Sequence, residues 1–148
     1  MGKRLEEIAG ELSLYVRTIA YLTAIPRAKL QNGTEECLPA RIEQYKGTEP
    51  PLPPLSHRRI YDLLMEAGPV EKGGMGPTPL SWLEIAAWRR NTAAWISPRE
   101  AILLRRLSSE YLAESHAAED QYRAPPWIPV GDQINHDLAL RRLMSVLG

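Results

Sequence analysis

Proline decides how this chain can be divided. Thirteen prolines fall in clusters, at positions 26, 39, 50–54, 69, 77–79, 98 and 125–129. Each fixes its own φ, removes a backbone donor and pushes the preceding residue out of the helical region. Between the clusters lie stretches of helical length, and there the apolar residues recur at three- and four-residue steps. Leu5, Ile8, Leu12, Tyr15, Ile19 and Leu22 share one helical face, so a helix is predicted over 5–24, ended by Pro26. A turn is expected on Asn32-Gly33, and a short helix over 39–46. Glu49-Pro50-Pro51-Leu52-Pro53-Pro54 reads as a stiff extended connector.

Beyond it, residues 57–67 read as a helix with Ile60, Leu63, Leu64 and Ala67 on its apolar side, stopped by Gly68-Pro69. Lys72 to Pro79 reads as a flexible loop. Its Gly73-Gly74-Met75-Gly76 lacks the Gly-Lys-Ser/Thr ending of a phosphate loop. Ser81 followed by Glu84, and Ser97-Pro98 followed by Glu100, are capping-box patterns. They predict helices over about 81–92, with Trp82, Ile85, Ala86 and Trp88 apolar, and over about 98–120. Leu103, Leu104, Leu107, Tyr111 and Leu112 form the stripe of the second. A last amphipathic helix is expected over about 132–147, capped by Asp132, with Ile134, Leu138, Leu143, Met144 and Leu147 apolar.

No run alternates at period two and no solenoid repeat is present, so the expected fold is all-α: a small helical bundle with proline-rich connectors and a C-terminal amphipathic helix. Its expected divisions are 1–48, an N-terminal helical segment; 49–56, the connector; 57–127, a helical core domain; and 128–148, a tail helix. With 148 residues, a real core can form without disulfides or metals.

The chemistry-bearing residues are few. Cys37 is the only cysteine, which excludes an internal disulfide and suits a reducing compartment. His57, His116 and His136 are scattered. Asp120 follows His116 by one helical turn, but no second pair completes a metal site. No activating base stands near Cys37 in sequence, so neither an enzyme nor a bound cofactor or metal is expected. Lysine plus arginine equal aspartate plus glutamate at 18 each, which removes any overall pull toward nucleic acid. The N-terminus lacks an apolar signal segment, and no stretch is long and apolar enough for a membrane helix. The protein is expected to act in the cytoplasm of the cell that makes it.

Four arginine pairs, Arg58-Arg59, Arg89-Arg90, Arg105-Arg106 and Arg141-Arg142, suit either phosphate contact or an acidic partner groove, or else solvated helix faces with local acid partners; the last is the simpler account. Residues 5–22 also resemble a helix-turn-helix, with Ser13 at the turn and Arg17 and Thr18 as DNA contacts. Against that, the apolar stripe keeps phase through residue 13, where a turn would reset it.

A more specific resemblance covers residues 57–127, about half the chain. Pro79-Leu80-Ser81-Trp82-x-Glu84-Ile85-x-x-Trp88 leads to Ser97-Pro98-x-Glu100, then Leu104, Leu107-Ser108, Tyr111-Leu112, Ala118-x-Asp120 and Pro125-Pro126-Trp127. This pattern resembles the tail assembly chaperones of long-tailed bacteriophages. The family has Thr-Gly after the first of these helices and often tryptophan after the proline opening the next. Here Thr92-Ala93-Ala94-Trp95 and Arg99 stand instead. The resemblance implies a protein of the host bacterial cytoplasm that binds the phage tape measure protein, or another tail protein, by covering its apolar helices. Trp82, Trp88, Trp95, Tyr111 and Trp127 are the candidate partner-binding residues, some of them necessarily core, with Trp95 in the inter-helix turn the most exposed candidate. Self-association into an oligomer remains open. The alternatives are a small phage or prophage regulator using Arg17 and Thr18, and a minor structural protein of the virion.

Overall fold

A computed structural model describes residues 2–147, and for Lys3, Gln133 and His136 the backbone course alone. Five helices carry the fold: α1 (Gly2–Thr23), α2 (Arg58–Ala67), α3 (Trp82–Thr92), α4 (Pro98–Ala117) and α5 (Val130–Leu147). Two antiparallel hairpins join them, β1 (Arg27–Lys29) with β2 (Glu35–Cys37) and β3 (Glu71–Gly73) with β4 (Gly76–Thr78), and a 3₁₀ segment spans Arg41–Tyr45. The fold is therefore mainly helical but not all-α.

The departure has a local cause. Three-residue strands are too short to display an alternating pattern, so only their turns leave a trace in sequence. In the first hairpin, Asn32 Oδ1 accepts from Thr34 N at 3.0 Å, and Gly33 takes φ +84°. In the second, Gly73 pairs with Gly76 across a two-residue loop, and a Cβ on Gly73 would lie 2.8 Å from the Gly76 carbonyl oxygen. The stretch expected to be a flexible loop is thus a tight hairpin, in which Gly73 permits close backbone approach and Gly76 takes φ +119°.

α1 lies along α4, and their contact is the backbone of the core. Leu12 and Val16 from α1 meet Leu104 and Leu107 from α4, with Ile60 and Leu64 of α2, Leu80, Ile85, Trp88 and Ile96 completing the cluster. Each fully buried leucine contributes roughly 1.5–3 kcal/mol. The core draws on both sides of the proline-rich connector. Pro53 is itself buried and Leu55 packs on the cluster.

Buried polar anchors hold the connections. Arg41 Nη1 donates to the carbonyls of Tyr21 and Ala118, at 3.3 and 2.8 Å, and Nη2 to that of Asp120 at 2.9 Å. Its guanidinium also lies 4.2 Å from the Tyr21 ring centroid. A cation is thereby set against the negative end of α4, where the helix dipole favours it. Glu114, 3% exposed, accepts from Arg123 at 3.1 and 3.3 Å and ties the chain beyond α4 back to that helix.

α5 differs from its expectation in two ways. It starts at Val130, so Asp132 lies in its first turn and is not the cap. At about 100° per residue, Ile134 and Leu138 fall on the opposite side from Leu143 and Leu147. The helix therefore has no single apolar face. Val130, Ile134, Leu138, Leu143, Met144, Val146 and Leu147 are all exposed.

Candidate partner-binding surface

α3 is positioned from both ends. At its start, Ser81 Oγ accepts from Glu84 N at 3.1 Å, which satisfies one of the helix's free donors. The expected capping box is only half formed, because Ser81 N donates to Glu71 Oε2 of β3 at 3.2 Å and leaves nothing for Glu84. One residue earlier, Ser108 of α4 is fully buried. Its Oγ accepts from Leu80 N at 2.8 Å and donates to the Pro69 carbonyl at 2.7 Å. Arg105 donates to the Leu80 carbonyl at 3.3 Å and lies 4.7 Å from the Trp82 ring centroid.

At the other end, Ala93 caps α3 in the left-handed region, φ 55° and ψ 23°. Glycine normally takes this role, since a Cβ is disfavoured there. α4 then opens with a complete capping box: Ser97 N donates to Glu100 Oε1 at 2.9 Å, and Glu100 N donates to Ser97 Oγ at 3.2 Å. Arg59 of α2 reaches across to this turn. It pairs with Glu100 and donates to the Trp95 carbonyl at 2.6 Å. The turn between α3 and α4 is therefore braced by three helices, while the Trp95 side chain points away from the core and is 71% exposed. Ala86, Arg89, Arg90, Ala93, Ala94 and Trp95 line an open groove of about 500 Å³ there.

Helix phase separates Trp82 from Trp88 on α3, while Trp95 lies in the turn after α3, Tyr111 on α4 and Trp127 in the segment between α4 and α5. Trp88, 8% exposed, belongs to the core, and its indole Nε1 has no partner among the described residues. It cannot present a surface. Trp82, six residues earlier and so on another side of α3, is 48% exposed beneath Arg105. Only Trp95 lines the groove at the end of α3. Tyr111 lines a second groove of about 560 Å³, formed with Ile25, Cys37, Val70, Pro77, Leu112 and His116 among others. Trp127 is half-buried. Cys37 and His116 share the second groove although 79 positions apart in sequence, a proximity the sequence reading missed.

The DNA-contact candidates fare differently. Residues 5–22 lie within the unbroken helix α1, so the two-helix unit a helix-turn-helix requires is absent there. Thr18 is 3% exposed and donates to the Leu14 carbonyl at 2.7 Å. Arg17 lies between α1 and α4, beside Glu110 and Glu114. Asp120 lies beyond the end of α4, so it is not a helical neighbour of His116; its carboxylate accepts from Tyr122 N at 3.0 Å. Among the described residues, no group of three or more His, Cys, Asp or Glu could hold a metal ion, and no helix is long and apolar enough to cross a membrane.

No family model, curated protein or solved structure matches the chain. Function is therefore argued from its own residues.

Proposed function

We propose that this protein is a tail assembly chaperone of long-tailed bacteriophages, which binds the tape measure protein in the host bacterial cytoplasm and leaves before the tail is complete. The observation that carries the reading is Trp95: a large aromatic, 71% exposed, on a turn braced by Arg59 and Glu100, in an open groove also lined by Ala86, Ala93 and Ala94. A rigid aromatic beside small residues suits an apolar helix laid into a groove, at little ordering cost. Trp82 and Tyr111 lie outside this groove and serve as secondary contacts at most.

The test is purification of the tagged protein from cells producing phage, with mass spectrometry of what accompanies it. One long helical tail protein is expected, with the tagged protein missing from finished particles. Trp95→Ala should weaken that complex by about 2–4 kcal/mol, roughly 30- to 1,000-fold, with an unchanged thermal melt. Recovery of specific DNA fragments without a protein partner would replace this reading with the regulator. Retention in purified particles would replace it with a structural role.

A further inference from the structure

The structure sorts the arginine pairs by what they touch. Arg58 meets Asp62 at 3.3 Å, and Arg59 meets Glu100. Arg106 meets Glu110 at 3.2 Å, while Arg105 is committed to the Leu80 carbonyl and the Trp82 ring. Arg89 and Arg90 stand apart. Both are exposed, neither enters an ion pair or side-chain hydrogen bond among the described residues, and both line the groove with Trp95. Arg141 and Arg142 also lack a described ion pair, but α5 carries no aromatic residue beside them.

The surroundings sharpen the contrast. From Ile85 to Arg99 the chain holds three arginines and no carboxylate. The next residue, Glu100, is already engaged by Arg59 and by the cap on Ser97. Two cations in the last turn of α3 also suit the helix dipole. That role, however, needs neither neighbouring alanines nor an exposed tryptophan alongside.

We infer that the segment docking on Trp95 is an acidic amphipathic helix of a protein partner. It lays apolar side chains on Ala86, Ala93 and Trp95, and its carboxylates meet Arg89 and Arg90. The inference rests on the reading of Trp95 as the docking face and adds the chemistry of the occupant. Tryptophan and arginine together are the usual anchors of such contacts, and a guanidinium holds a carboxylate through two parallel hydrogen bonds. A nucleic acid would also offer anions and rings for stacking. The chain's zero net charge provides no overall attraction for a polyanion, and three of the six lining residues are alanines, whose methyl groups suit an aliphatic surface.

The test uses the full chain and a fluorescently labelled amphipathic peptide of about 18 residues, five helical turns. One face carries Leu and Ala and the other Glu. Counterparts carry Gln or Lys in place of Glu, and a single-stranded oligonucleotide is the fourth probe. By anisotropy, the Glu peptide should bind about tenfold more tightly than the Gln peptide, a factor typical of one charge-assisted contact. The Arg89→Gln/Arg90→Gln double variant, or ~0.5 M salt, should bring that ratio close to one. Trp95→Ala should weaken both peptides alike. If the Gln or Lys peptide binds as tightly as the Glu peptide, or the oligonucleotide binds in preference, the acidic assignment falls. In that case a Gln peptide still released by Trp95→Ala leaves the docking face standing. Peptide affinities indifferent to Trp95→Ala, or no peptide binding, overturn the inference together with the docking face.

Discussion

Ser108→Ala is the sharpest probe of how the Trp95 face is held. One hydroxyl, fully buried, bridges two segments far apart in sequence: it accepts from Leu80 N at 2.8 Å and donates to the Pro69 carbonyl at 2.7 Å. Alanine leaves both backbone groups without that partner. A buried, unsatisfied donor costs about 1–3 kcal/mol. Leu80 is itself almost wholly buried, so its N–H bears that cost, whereas the half-buried Pro69 carbonyl can recover part of its loss from water. The sum is about 2–3 kcal/mol. For a domain of this size each kcal/mol moves the melting temperature by roughly 2–4 °C, so a fall of about 4–12 °C is expected. Thermal unfolding followed by circular dichroism measures it, with the neighbouring exposed Ser109→Ala as a control that should move by less than about 0.5 kcal/mol. A Ser108→Ala melt indistinguishable from that control would mean that the bridge does not hold the start of α3. Because α3 carries Ala86, Arg89 and Arg90, partner binding should also weaken as its start loosens.

Other consequences follow from single contacts. Ala93→Gly should raise stability by about 0.5–1 kcal/mol in chemical denaturation, since it relieves a Cβ in the left-handed region; a loss of stability would show that the Ala93 methyl packs usefully in the groove. Arg123→Ala should lower the melting temperature more than Glu114→Leu, because the half-exposed arginine can return to water while the buried carboxylate cannot; the reverse order would refute the anchor's account. The Glu11 carboxyl is held below its ordinary value, chiefly by the Ser56 hydroxyl, next by the Ser56 N–H, and to a small extent by His57. A depressed folded pKa contributes stability fully above the ordinary value near 4.5, and loses it as pH falls through the lower folded value. Glu11→Gln should therefore lower the melting temperature slightly at neutral pH and not at all in stronger acid; equal differences at both would exclude this linkage.

Most of the motif residues between Ser81 and Ser108 serve as supports. Ser81, Ser97 and Glu100 cap helices, Trp88, Leu104 and Leu107 fill the core, and Ser108 bridges Leu80 and Pro69. The groove lies between those positions, half of its lining on α3 (Ala86, Arg89 and Arg90) and half in the turn after it (Ala93, Ala94 and Trp95).

The helices and most of their ends were legible from local signals in the chain. Proline, a serine cap and a glutamate three residues on act over a few bonds, so Ser97-Pro98-x-Glu100 forms the expected box without help from elsewhere. Asn32-Gly33 made its turn for the same reason. What lies farther apart was decided by the tertiary structure. Ser81 exchanged Glu84 for Glu71 only once β3 stood beside it. Trp95 was legible as a turn residue, but Trp82 and Trp88 share one predicted helix, and only its phase against the core separated them into half-exposed and buried. Arg59 found Glu100 across 41 residues, whereas Arg89 and Arg90 found no acid. Helix signals are local, because backbone sterics and first-turn hydrogen bonds set them; burial and charge pairing are long-range, because they depend on which surfaces the folded chain brings together.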